Sequence, residues 1–307
     1  MSAKARKSFE QLQVDLTQTF YTRLRLACRQ DDGVPSILLF FMSKPLVIIA
    51  LQLAAFWSVW RWYALRVTSS GDDSWGVLAL VVIAALCWFK RKEVESNPSL
   101  LLPTVFTLLY FATFPFLPPL LRAVLAMSAI AFTLGNIFFK TRFHLGLFSL
   151  SLLSLPLIPS LQFYLGYPLR LVVGFVAAPV LRLGGLAVYA EGSCLNWGGK
   201  LIWIDAPCSG VKMLWAGLFL ASLLISFYEL KFFKSLLVLT IAFAAIIFGN
   251  IFRALALFYI EADIIKTPSW MHEATGVVSF ALVGICIAAF VLWLKNANFI
   301  LQTDNIK

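Results

Sequence analysis

Apolar residues run along this chain in long, nearly uninterrupted stretches, and most of its charges are confined to the short segments between them. A run of about 18 or more apolar residues is long enough to cross roughly 30 Å of hydrocarbon as a helix. The pattern predicts spans at 45–65, 75–89, 99–118, 122–139, 145–166, 211–228, 235–258 and 274–294. The expected fold is therefore all-α, a polytopic membrane bundle of about eight transmembrane helices. One stretch departs from the pattern. Leu169 to Leu186 is apolar, but Arg170, Pro179, Arg182 and Gly184-Gly185 interrupt it, and charges inside hydrocarbon are costly. It reads as an interfacial or re-entrant segment, followed by a polar loop from Glu191 to Asp205. If it crossed instead, the spans after it would invert.

The charged segments orient the bundle. Lys90-Arg91-Lys92, Lys140-Thr141-Arg142 and the stretch from Lys231 to Lys234 are basic, as is the segment 1–35 with Lys4, Arg6, Lys7, Arg23, Arg25 and Arg29. The excess of Lys and Arg on cytoplasmic loops places all of these inside. The opposite loops hold Asp72-Asp73, Glu261 and Asp263, together with Arg61, Arg66 and Arg122. The chain thus divides into a basic cytoplasmic arm, 1–35, and one integral membrane domain, 36–307. The arm lacks the apolar core and cleavage site of a removable signal peptide.

Composition agrees: 61% of the residues are hydrophobic and 13% charged, against roughly a quarter charged in ordinary soluble domains. A net charge of +10 would suggest nucleic acid in a soluble chain. Here lipid headgroups and the positive-inside rule account for it, so no nucleic-acid partner is expected. The five cysteines, Cys28, Cys87, Cys194, Cys208 and Cys286, show no CxxC pair. Neither a disulfide framework nor a metal centre is expected, and no cofactor. Cys87 and Cys286 lie in apolar runs and read as packing residues, whereas Cys194 and Cys208 have polar surroundings.

Candidate chemistry concentrates in the last third. Asp205-Ala206-Pro207-Cys208-Ser209-Gly210-Val211-Lys212 stands where the polar loop becomes a span. Cys208 should then lie at or just inside a helix N-terminus, where free backbone N–H groups favour a thiolate. Lys212, one turn on, adds a positive charge. The plain alternative is a free cysteine beside a turn. Asn250-Ile251-Phe252-Arg253 lies near the outer end of an apolar span, with Asn250 and Arg253 on one face. An intramembrane arginine marks function or balances a carboxylate, and Glu261 and Asp263 follow closely. His272, in Trp270-Met271-His272-Glu273-Ala274-Thr275-Gly276, opens the final span. It is either a helix-start residue or a proton carrier, and Trp270 beside it reads as an interfacial anchor. His144, the other histidine, reads as a surface residue.

With eight spans, Cys208, Arg253 and His272 all fall at the outer leaflet on three consecutive helices. A thiol, a proton-transfer group and a fixed cation suffice for acyl transfer. The competing reading is a transporter or channel, with Arg253 as an anion contact and His272 as a proton relay. A structural membrane subunit is a third.

These segments resemble the signature of the exosortase/archaeosortase family: a cysteine in A-x-C-S-G, an arginine in N-x-x-R, and a histidine before the last membrane helix. Here they are Cys208 in Ala206-Pro207-Cys208-Ser209-Gly210, Arg253 in Asn250-Ile251-Phe252-Arg253, and His272 followed four residues later by Gly276. The resemblance covers about residues 200–280 in detail. It implies a multi-pass protein of the cell inner membrane that cleaves C-terminal sorting signals of exported proteins, of the PEP-CTERM type, outside the cytoplasm. Cys208 would be the nucleophile and form a thioester, Arg253 would hold the oxyanion or orient the substrate, and His272 would move protons. Ser209, Asn250 and Lys212 would support them, and a lipid or other membrane acceptor would receive the cleaved protein.

Overall fold

The computed structural model describes residues 45–69, 71–95, 98–204, 209–268 and 270–304. Side chains are described as far as Asn296, apart from those of Asp72 and Asp73. The basic arm, with Cys28, lies outside the described residues, and so do Asp205 to Cys208. Ten α-helices carry the fold: α1 (Pro45–Ala55), α2 (Trp57–Ser69), α3 (Trp75–Phe89), α4 (Leu101–Thr113), α5 (Pro119–Phe138), α6 (Leu145–Leu153), α7 (Ile158–Leu183), α8 (Val211–Phe227), α9 (Phe232–Glu261) and α10 (Trp270–Asp304). Four of them, α5, α7, α9 and α10, are long and apolar enough to cross a membrane. The pair α1 and α2, bent by 65°, makes a fifth, and α3, α4 and α8 are shorter apolar helices. The all-α, multi-pass expectation holds, with a count that differs slightly from eight.

One expected span needs correction. The span expected at 145–166 breaks: α6 stops at Leu153 and α7 begins at Ile158. Pro156 has no N–H to continue α6, while Pro159 falls in the first turn of α7, where a missing N–H costs nothing. Residues 169–183 of the interrupted segment are the second half of this continuous helix. Its arginines are accommodated locally. Arg170 Nε donates to the Gly166 carbonyl at 3.2 Å and its guanidinium stands over Tyr167, while Arg182 stands over Tyr189.

The polar loop expected from Glu191 is largely a sheet. Strands β1 (Val188–Glu191), β2 (Cys194–Trp197) and β3 (Lys200–Trp203) pair antiparallel in the order β1-β2-β3. Gly198 and Gly199, both with positive φ, make the two-residue turn between β2 and β3. Cys194, expected among polar groups, is buried on β2.

The bundle has a basic end and a far end. Lys90 forms an ion pair with Glu229, which ties the end of α3 to the end of α8. Phe143 and Phe232 have ring centroids 5.7 Å apart, so the Lys140–Arg142 and Lys231–Lys234 segments gather at that same end. His144, read from sequence as a surface residue, is 8% exposed and caps α6, its Nδ1 accepting from the Leu147 N–H at 3.2 Å. Burial pushes its pKa down to about 4. The ring therefore stays neutral and keeps that lone pair.

From the basic end, α6 carries the chain toward the far end. The Ser154 carbonyl meets Gly76 at the start of α3, where a Cβ would stand 2.1 Å from its oxygen. Trp215 donates to the Leu153 carbonyl at 3.1 Å and meets Trp75 edge to face. Helix α7 then starts at the far end, with Ile158 packed on Val211 and Trp215. It ends there too, with Val173, Ala177 and Leu181 packed on Ile251, Leu257 and Phe258 of α9. Although long enough to cross, α7 begins and finishes on one side, so the helices after it keep their direction.

Helix α9 sets the height of the far end. Its 30 residues span about 45 Å at 1.5 Å per residue, roughly 15 Å more than the hydrocarbon. The surplus buries itself in protein. Val188, Leu195 and Ile202 of the sheet close over α7 and α9 as one apolar core. This arrangement predicts a labelling pattern in intact cells carrying single cysteines. An impermeant thiol reagent should modify Trp203→Cys and Trp270→Cys, and spare Arg91→Cys and Phe233→Cys. Labelling of Phe233→Cys together with Trp203→Cys would mean that α7 crosses.

Candidate active site

The cysteine segment is fixed from both sides. Upstream, Ile204 ends the sheet, its N–H donating to the Ser193 carbonyl at 3.0 Å. Downstream, Ser209 is buried, and its Oγ donates to Gln162 Oε1 on α7 at 3.0 Å. Gly210 is the N-cap of α8 and has φ +84°, a left-handed conformation that L side chains rarely adopt. A Cβ on Gly210 would also stand 2.7 Å from Asn250 Cγ. Both the backbone and the contact require glycine. Helix α8 starts at Val211, and Cys208, expected at or just inside that helix start, is two residues before the cap in sequence. The residue itself lies outside the described set. Lys212 is exposed in the first turn of α8.

The second segment is the turn of α9 from Asn250 to Arg253. Asn250 is buried and packs against Gly210. Arg253, one turn further out, packs against Gly276: a Cβ there would stand 3.4 Å from Nε and 3.5 Å from Cζ. The guanidinium thus packs against this face of α10. Glu261 and Asp263, the acids suspected of balancing Arg253, are engaged elsewhere. Asp263 pairs with Lys200 at 3.2 Å, and the Glu261 carboxylate stands 3.8 Å from His272 Nε2.

His272 lies four residues before Gly276 on α10, hence on the same face one turn away. It looks into a cleft of about 250 Å³ between β3, the last turns of α9 and the start of α10. Ile202, Ile204, Ala254, Leu257 and Phe258 form apolar walls, and Lys200, Glu261 and His272 supply its charged and titratable groups. Lys200 Nζ also donates to the Glu261 carbonyl at 2.9 Å, which holds the β2–β3 hairpin against the end of α9.

Thus the α9 turn brings the three sequence segments together, with Asn250 on the cysteine segment and Arg253 on the histidine segment. Ile204, the last described residue before Cys208, lines the same cleft as His272. Sequence reasoning missed Gln162, Lys200, Gly210 and the Glu261–His272 approach. The φ of Gly210 had a signal in the Ser209-Gly210 step before a helix. Gln162 and Lys200 had none, since their partners lie 47 and 63 residues away.

No curated protein and no solved structure matches the chain. The family model described as Transmembrane exosortase (Exosortase_EpsH) matches residues 48–289, which takes in α2 to α9, the sheet, and all three segments that meet at the α9 turn. The chain belongs to the transmembrane exosortase family.

Proposed function

We propose that this protein is a cysteine transpeptidase of the cell inner membrane that removes C-terminal sorting signals from exported proteins on the extracytoplasmic side. In this reading Cys208 is the nucleophile, Arg253 the oxyanion or orienting cation, and His272 the proton carrier. The observation that carries it is the double contact of one helical turn, Asn250 against Gly210 and Arg253 against Gly276. Three segments far apart in sequence are thereby held at one end of the bundle beside a cleft.

The reaction then runs as acyl transfer. The Cys208 thiolate attacks the scissile carbonyl carbon, its proton having gone to His272. A C–S bond forms, and the tetrahedral oxyanion accepts hydrogen bonds from the Arg253 guanidinium. The C–N bond breaks, and the leaving amine takes the proton from His272. A nucleophile on a membrane acceptor attacks the resulting thioester, and the thiol is released. With α8 starting at Val211, helix-end stabilisation of the thiolate acts from two residues beyond Cys208. More of the deprotonation therefore falls to His272 than a cysteine inside the helix would need. The approach of Glu261 to His272 Nε2 leaves Nδ1 for the reacting atoms.

Co-expression with a tailed exported protein tests the assignment. Wild type should shorten the substrate, while Cys208→Ala and Cys208→Ser should leave it intact at normal enzyme levels. Substitution of Cys87, Cys194 and Cys286 should leave processing in place. Processing by Cys208→Ala would remove the cysteine mechanism.

The other two residues have separate readouts. His272→Ala should lower the rate by about a hundred- to ten-thousand-fold, and iodoacetamide should alkylate Cys208 more slowly at neutral pH in that variant. Arg253→Lys should lose most activity, because an ammonium lacks the planar fork of a guanidinium. Near wild-type turnover by Arg253→Lys would give Arg253 a purely structural part.

A further inference from the structure

The open edge of β3 lies along the candidate site. Among the described residues, the sheet order β1-β2-β3 gives β3 a partner on one side only. The register, with Trp197 opposite Lys200 and Leu195 opposite Ile202, determines which of its main-chain groups are used. In an antiparallel pair opening on a two-residue turn, the flanking residues exchange both bonds, and every second pair after them does the same. The bond from the Ile204 N–H to the Ser193 carbonyl at 3.0 Å fixes this phase independently. Lys200, Ile202 and Ile204 therefore face β2. The N–H and C=O groups of Leu201 and Trp203 face away from it.

What they face is the cleft. Successive side chains of a strand point to opposite faces, yet Lys200, Leu201, Ile202, Trp203 and Ile204 all line it. A cavity that touches five consecutive strand residues runs along the strand's edge. Its opposite wall is the end of α9 with His272. An unpaired edge is a template for another extended chain, and proteins normally blunt or cover it. Here it is walled in beside the candidate chemistry. From Trp203 the chain needs only five further residues to reach Cys208.

We infer that the substrate's sorting segment binds as an added strand on the edge of β3, in extended conformation, with main-chain hydrogen bonds to Leu201 and Trp203. This rests on the transpeptidase reading and names how that site holds its peptide. Edge addition supplies affinity through main-chain bonds common to any sequence, and leaves selectivity to alternate side chains. It also presents the scissile amide extended and accessible, which a helical tail would not.

The test compares Leu201→Pro with Leu201→Ala on a tailed substrate that wild type shortens and Cys208→Ala does not. That requirement separates failure of the transpeptidase reading from failure of this one. Proline at 201 removes an N–H that the sheet does not use, and places its ring where the added strand would lie. Alanine keeps the N–H. At equal enzyme levels, Leu201→Pro should process at least about fivefold more slowly than Leu201→Ala, with the deficit shrinking as substrate expression rises. Equal rates would overturn the inference. Should Leu201→Pro fail to accumulate, the wild-type enzyme answers the same question. Paired proline and alanine substitutions at each of the six substrate residues before the cut should show proline-specific loss at alternate positions. Loss without a period of two would overturn strand addition.

Discussion

A membrane helix is held by lipid only over the hydrocarbon, and α9 is longer than that. Its 30 residues leave roughly 15 Å that lipid does not cover. Ile251, Ala254, Leu257 and Phe258 on this stretch are apolar and need protein around them. The second half of α7 and the inner face of the sheet supply it. Without that surplus there would be no post for the sheet to stand on, and no wall opposite β3 to make a cleft.

Glycine decides how closely the three segments approach that post. At Gly210 the conformation and the contact make the same demand, because φ is +84° and Asn250 fills the space a Cβ would need. At Gly276 a Cβ would stand 3.4 Å from the guanidinium, an ordinary van der Waals contact, so Arg253 packs directly on this face of α10. The absent side chain at Gly210 thus brings the start of α8 against α9, and Arg253 reaches from α9 to α10. Small residues at helix contacts in membranes work the same way, since lipid offers no hydrophobic drive for helices to associate.

The class of fold was legible because a run of about 18 apolar residues suits a membrane helix and little else. The site segments were legible because polar groups are conspicuous in such runs. The sheet was less legible. Four-residue strands carry too few positions for alternation to declare itself, although Gly192-Ser193 and Gly198-Gly199 were turn signals at hairpin spacing. The break between α6 and α7 was written in Pro156 and Pro159, but the apolar run continued through it and hid it. The arginines of α7 argued against a crossing, and α7 does begin and finish at one end of the bundle. Each is satisfied by neighbours on or beside its own helix, so the segment stays helical despite them. What no local pattern contains is the pairing of Ser209 with Gln162, or of Lys200 with the end of α9. Those bonds exist only once the sheet has docked.

The placement of α7 has a consequence for the chemistry. Both of its ends stay at the far end, so the chain between α6 and α8 never returns to the basic side. That whole length of chain is thereby committed to one surface, and what it builds there is a cleft and the hairpin that leads into Cys208. A peptide arriving in the plane of the membrane would meet an apolar wall first and the charged groups only at the rim, where Lys200 is already held by Asp263 and the Glu261 carbonyl. The contact between His272 Nε2 and the Glu261 carboxylate is a 3.8 Å approach, too long for a hydrogen bond. A proton carrier, the part proposed for His272, gains from being held loosely. The part proposed for Arg253 makes the opposite demand, since a group that stabilises a developing oxyanion must already be in place, and Arg253 packs against Gly276.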